Sequence, residues 1–207
     1  MGTTPNYGWT YPAPTNYVKD LPTDLGNLAD EIDATVAGLG SGLNLISSST
    51  FTGQSSVSFN NVFTSTYKDY RILTSISCSS GTITQSLRLR SSGTDLSSGV
   101  YGYANYRWSS TGTQNYAANN NGTDTRMILA DVGSSTQIQQ SIDITNPQAS
   151  SVKRLTGLAQ GEYSGVSGIV TFIIGGYIGS TSSYDGFTIY PSSGTISGTI
   201  SVYGYEI

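Results

Sequence analysis

From Leu43 to the end of the chain, apolar and polar residues alternate with period two, and stretches rich in Gly, Ser and Asn cut the alternation into short runs. Period two marks strands with one face buried, because successive side chains point to opposite faces of a sheet. Tyr70, Ile72, Thr74, Ile76 and Cys78 share one face of one run. Ile83, Gln85, Leu87 and Leu89 share another, with Arg88 and Arg90 opposite, and Ile138, Gln140, Ile142 and Ile144 repeat the pattern. Residues 169–174 are apolar on both faces, as a central strand covered on both sides would be. Turn signals fall at 79–81, 91–93, 119–122, 180–186 and 192–194. About eight to ten short strands spaced in this way predict a mainly β protein, an antiparallel β-sandwich of jelly-roll type over residues 43–207.

Before Leu43 the period changes. Residues 20–39 place Leu21, Leu25, Leu28, Ile32, Val36 and Leu39 at spacings of four and three, which predicts the chain's one helix. Asp20 suits the cap, Pro22 is tolerated in the first turn, and acidic residues near the start suit the positive end of the helix dipole. A seam this narrow on so short a helix needs partners, and a trimeric coiled-coil-like contact through Leu25, Leu28, Ile32, Val36 and Leu39 is expected. Glycines at 38, 40 and 42 then end the helix and form a hinge, so residues 19–42 make one segment.

Residues 1–18 hold Pro5, Pro12 and Pro14 among Tyr7, Trp9, Tyr11 and Tyr17. Proline disfavours a helix here, and aromatic residues at this density are poorly used in a free tail. The segment is expected to lie extended in a groove of another subunit or another protein, with Tyr7, Trp9 and Tyr11 as its anchoring contacts; a tail docked on its own domain is the alternative.

Composition narrows the chemistry. The chain has no His and one Cys, which removes imidazole-based relays, His-ligated metal sites and thiolate cages. Asp124 with Asp131, or Asp69 with Asp185, are the carboxylate pairs to consider for glycoside hydrolysis, but no spacing singles them out. No phosphate-binding glycine loop precedes a helix. No enzyme activity, cofactor or metal is expected. The formal net charge of -4 is confined to residues 1–40, so the rest is balanced and lacks the clustered cations that nucleic acid requires. No apolar run reaches membrane-spanning length and the start does not resemble a signal peptide, so a soluble protein made in a cytoplasm is expected, without membrane insertion.

An aromatic stretch, Tyr101, Tyr103, Tyr106, Trp108 and Tyr116, precedes a polar segment at 115–124 that reads as a loop. Tyr101 and Tyr103 are expected to share a strand face and pack in the core or between subunits. Trp108, Tyr116, Asn119, Asn120 and Asn121 are the candidate receptor contacts, because aromatic rings stack on sugars and Asn orients hydroxyls.

Three stretches carry a resemblance. SSVSFNNVFTSTYKDYRIL at 55–73 resembles the opening of a β domain found at the ends of bacteriophage fibre and minor tail proteins. ISGTISVYGYEI at 196–207 is similar to the closing strand of such domains, and PNYGWTYPAPTNYVKDLPTDLGNLADEIDATV at 5–36 resembles the N-terminal attachment segment of phage tail and fibre proteins. The resemblance implies a homotrimeric virion protein on a phage tail or capsid surface, bound to other virion proteins and meeting a host-surface glycan or protein. The absence of a long shaft leaves a second expectation, a capsid decoration or head fibre with a mechanical or weakly adhesive role.

Overall fold

The computed structural model describes residues 1–15, 17–38, 42–79, 83–110, 112, 114–132, 137–163 and 166–206; at 37–38, 114–117, 119–121, 132, 163 and 166–167 it describes the backbone alone. The chain divides into two compact units, Met1–Gly42 and Leu43–Ile207.

In the first unit, β1 (Gly2–Thr3) and β2 (Thr10–Tyr11) pair antiparallel, with Gly2 opposite Tyr11 and Thr3 opposite Thr10. Gly8 makes the return possible at φ 70°, a left-handed conformation that costs glycine little. Thr4 closes the turn: its carbonyl accepts from Gly8 N at 3.0 Å and its Oγ1 from Trp9 N at 3.0 Å. A 3-10 turn at Val18–Asp20 leads into α1 (Leu21–Gly38). The expectation of an extended segment over 1–18 is therefore corrected. Its first eleven residues form a hairpin, and Trp9 and Thr10 donate to the chain's own helix.

The second unit contains β3 (Leu43–Gln54), β4 (Val57–Phe59), β5 (Asp69–Cys78), β6 (Ile83–Ser91), β7 (Thr94–Asp95), β8 (Tyr101–Ser109) and β9 (Gln114–Asp124), followed by β10 (Met127–Val132), β11 (Gln137–Thr145), β12 (Lys153–Tyr163), β13 (Val166–Ile178), β14 (Gly186–Pro191) and β15 (Ile196–Tyr205). Eight strands form one sheet in the order β3-β15-β5-β11-β12-β13-β8-β9. A smaller sheet runs β10-β6-β14-β4, with β7 on β6. Every strand pairing is antiparallel.

The inward faces of both sheets make one core. Tyr70, Ile72, Ile76, Ile138, Ile142, Ile144 and Val202 come from the large sheet, and Leu87, Leu89, Phe187 and Ile189 from the small one. Phe59 and Phe187 stack at 5.1 Å, and Phe63 lies 4.7 Å from Tyr70. The Tyr70 hydroxyl accepts from Thr64 N at 2.7 Å and donates to Thr64 O at 2.6 Å, so its burial leaves no orphaned oxygen. Lys153 is fully buried, its Nζ donating to the carbonyls of Ala149 at 2.8 Å and Ser180 at 3.2 Å and to that of Ser182, beside the Tyr184 ring. One ammonium thus ties the β11–β12 connection to the β13–β14 connection.

Two further expectations change. Residues 115–124 are not a loop: they belong to β9, an edge strand that follows the β8 register with a shift near Gly122 at φ 60°. Residues 169–174 are not covered on both faces. Val170, Phe172 and Ile174 are buried, whereas Ile169 and Ile173 are exposed on the outer face of the sheet.

Candidate interaction surface

The paired carboxylates considered for catalysis each hold local structure. Asp131 accepts from Thr84 Oγ1 at 2.9 Å and lies 3.7 Å from Arg107. Asp124 accepts from Thr125 N at 2.7 Å and the Tyr103 hydroxyl at 3.2 Å, Asp185 from Ser92 N at 2.8 Å, and Asp69 from Asn146 N at 3.1 Å. Among the described residues no group of three or more Cys, Asp and Glu side chains is placed to hold a metal. Cys78 is buried and its thiol is pushed up to about 11 by that burial, which keeps it protonated and unreactive at neutral pH.

The outer face of the large sheet is where unusual chemistry collects. Residues directly opposite on neighbouring strands share a face, so the register defines cross-sheet rows. One row runs Ser201, Leu73, Ser141, Leu158, Ile173, Tyr106 from β15 to β8. The next runs Thr199, Ser75, Gln139, Gln160, Thr171, Trp108. Toward β15 the face is a carpet of Ser, Thr and Gln. Toward β8 it turns apolar: Leu158, Ile169, Ile173 and Trp108 are all more than half exposed, Trp108 at 59%, with Tyr106 beside them and Leu73 one strand beyond Ser141. The five side chains from Leu158 to Trp108 present on the order of 500 Å² of apolar surface, within the upper range of what a monomer normally shows, and such patches are often contact sites. Trp108, Tyr106, Ile169, Ile173, Thr171 and Ser110 line a hollow of 290 Å³, and a shallower groove of 510 Å³ continues over Leu158 and Leu73 toward Thr199.

A rigid polar cluster borders this surface. Arg71 grips Asp143 through two bonds of 2.8 Å, the Tyr205 hydroxyl donates to the same carboxylate at 2.6 Å, and the guanidinium stands 5.3 Å over the Tyr205 ring. Burial alone would raise Asp143. The hydrogen bonds from Arg71 and Tyr205 outweigh it and hold the carboxyl below its ordinary value. Burial and the hydrogen bond to Asp143 push the Tyr205 phenol up to about 12.

The expected receptor contacts divide. Trp108 is on the outer face. The backbone of Tyr116 lies opposite Tyr106 and that of Asn119 opposite Tyr103, with Asn120 and Asn121 following on β9; the side chains of these four lie outside the described residues. Leu73, Leu158, Ile169 and Ile173 were not expected here. The signal for the last two was the unbroken apolar run, which leaves no inward residue of β13 polar and so gives no clue that one face is bare.

In the N-terminal unit the Trp9 ring stacks on Tyr7 at 5.1 Å, and its Nε1 donates to Thr35 Oγ1 at 2.8 Å. Thr10 donates through N and Oγ1 to the two oxygens of Glu31, at 2.6 and 2.7 Å, which lowers the Glu31 pKa. Tyr7 and Tyr11 remain exposed. At about 100° per residue, Glu31 and Thr35 lie to one side of the seam made by Leu25, Leu28, Ile32 and Val36. The hairpin therefore flanks that seam without covering it: Leu25 is 50% and Val36 57% exposed, and Leu28 and Ile32 are half-buried. Leu39 lies outside the described residues.

Comparison of the chain with protein-family models finds no match, and comparison with curated proteins finds no significant one.

Proposed function

We propose that this protein is a structural virion protein of a bacteriophage, a homotrimeric fibre held to another virion protein through Tyr7, Trp9 and Tyr11 and attaching to the host surface through its β-sandwich. The observation that carries the reading is the aromatic and aliphatic patch around Trp108 on an otherwise Ser-, Thr- and Gln-rich sheet face. A sheet presents such side chains at little entropic cost, and on the neighbouring strand the backbone of Tyr116 lies opposite Tyr106.

The sandwich is read as a jelly roll with two added hairpins. Lettering β3, β4, β5, β6, β10, β11, β14 and β15 from B to I turns the neighbour orders into B-I-D-G and C-H-E-F. The β8–β9 and β12–β13 hairpins then extend the first sheet, and they carry most of the patch. The open seam of α1 supports a parallel three-helix contact through Leu25, Leu28, Ile32, Val36 and Leu39.

The decisive experiment combines Trp108→Ala with Tyr116→Ala in whole particles. Adsorption to host cells should fall at least tenfold while the protein stays at normal occupancy, and the purified chain should have three times its 21.8 kDa mass. Normal adsorption of the double variant would remove the receptor role; location on the capsid would favour decoration. A stable monomer would end the trimer proposal.

A further inference from the structure

Away from the Trp108 patch, toward the other ends of the same strands, the outer face holds a second hollow of 310 Å³, lined by Arg154, Tyr177, Gly102, Ala104 and Gly175. Arg154 and Tyr177 are direct register partners on β12 and β13, and Tyr177 faces Gly102 on β8. A Cβ on Gly102 would lie 2.3 Å from the Tyr177 ring, and one on Gly122 2.7 Å from its hydroxyl. The ring therefore reaches sideways across β8 toward β9, lying along the sheet. It can do so because position 102 has no side chain, and the ring stays half-buried there, lining the hollow. Arg154 is exposed beside it and has no hydrogen-bond or ion-pair partner among the described residues.

We propose that Tyr177 and Arg154 form a binding site for one acidic sugar unit, the ring stacking against the sugar face and the guanidinium taking its carboxylate. Three arguments select this ligand. The hollow is at the small end of ligand-site volumes, which suits a single ring and not a chain segment. A phenol platform packs against the C–H face of a sugar, and the planar fork of a guanidinium pairs with a planar carboxylate in two bonds. One isolated cation on a charge-balanced body serves one anionic group per unit, whereas a nucleic-acid backbone needs several together. The inference deepens the attachment reading and rests on it for the source of the sugar.

The test titrates the intact protein with tri-galacturonate, with a sulfated disaccharide and with neutral galactotriose, followed by ligand-observed NMR and calorimetry. Tri-galacturonate should bind in the millimolar range and weaken with salt, and Arg154→Gln should cost on the order of tenfold. Tyr177→Leu should cost a similar factor with the fold intact by circular dichroism; if it does not fold, Arg154→Gln, an exposed position, decides alone. Binding of the sulfated probe with none of the uronate overturns the carboxylate assignment. Equal binding of galactotriose, or uronate binding unchanged by Arg154→Gln, overturns the site. Trp108→Ala should leave uronate binding unchanged, so the loss of this site and the loss of the Trp108 surface are read separately.

Discussion

Replacing Lys153 by Met tests how the sandwich closes its end. The methionine side chain nearly matches the length of the lysine stem but serves none of the three carbonyls, those of Ala149, Ser180 and Ser182, that the ammonium now holds. Leaving a buried acceptor unpaired costs about 1–3 kcal/mol. Against this stands the desolvation of the ammonium, which pulls the Lys153 pKa below its ordinary value and is relieved in the variant. With three acceptors stripped and one buried charge removed, a net loss of about 3 kcal/mol is expected. In a domain of this size that is a melting temperature lower by about 6–12 °C. Scanning calorimetry of the full chain at neutral pH measures it, and limited proteolysis should show earlier cutting in the 146–152 and 179–185 connections. A melting change below about 2 °C would mean that the carbonyls find water at no cost and that the clamp is incidental.

Two acid-side predictions follow from the carboxylates. Asp143, held below its ordinary pKa by Arg71 and Tyr205, stabilises the fold above the unfolded value of about 4, and this part is lost as pH falls through the lower folded value. The gap in melting temperature between wild type and Asp143→Asn, worth about 1 kcal/mol after allowance for solvent screening, should therefore shrink as pH falls from about 5 through the lower folded value; a constant gap refutes the linkage. Glu31 is likewise lowered by its hydrogen bonds to Thr10, so its contribution to hairpin docking on α1 is present above the ordinary Glu pKa and weakens as pH falls through the lower folded value. In a Trp108→Phe background, Trp9 fluorescence should report an acid transition that Glu31→Gln abolishes, and an identical titration in both proteins counts against it.

The alternation at 70–78, 83–89 and 138–144 was legible because those strands bury one face completely, so sequence period and sheet pleat agree. The added hairpins were harder to read. β9 carries Asn and Ala where a core-facing strand would carry aliphatics, because it lies at the sheet edge and its composition matches that of a loop. β13 gave the opposite error: aliphatic residues on both faces imply cover on both, whereas Ile169 and Ile173 are more than half exposed. The N-terminal hairpin escaped notice because it depends on Glu31 and Thr35, which are 21 and 26 residues from their partners and read as an ordinary polar helix face. Tyr177 owes its posture to Gly102, which sequence alone reports as an ordinary strand glycine.

The edge position of β3 also fixes how the sandwich bears load. The strand starts at Leu43 opposite Tyr205 and ends at Gln54 opposite Ile196, so tension arriving from the N-terminal side enters beside the last strand of the fold. Force along β3 shears it against β15 and strains the whole ladder of interstrand hydrogen bonds at once, because those bonds lie perpendicular to the strands. Force directed away from the sheet edge instead opens the Leu43 end first and breaks the bonds one after another. The same joint is strong in one direction and a zipper in the other, and its lifetime under load is set by the unfolding rate along the pulling direction, not by equilibrium stability.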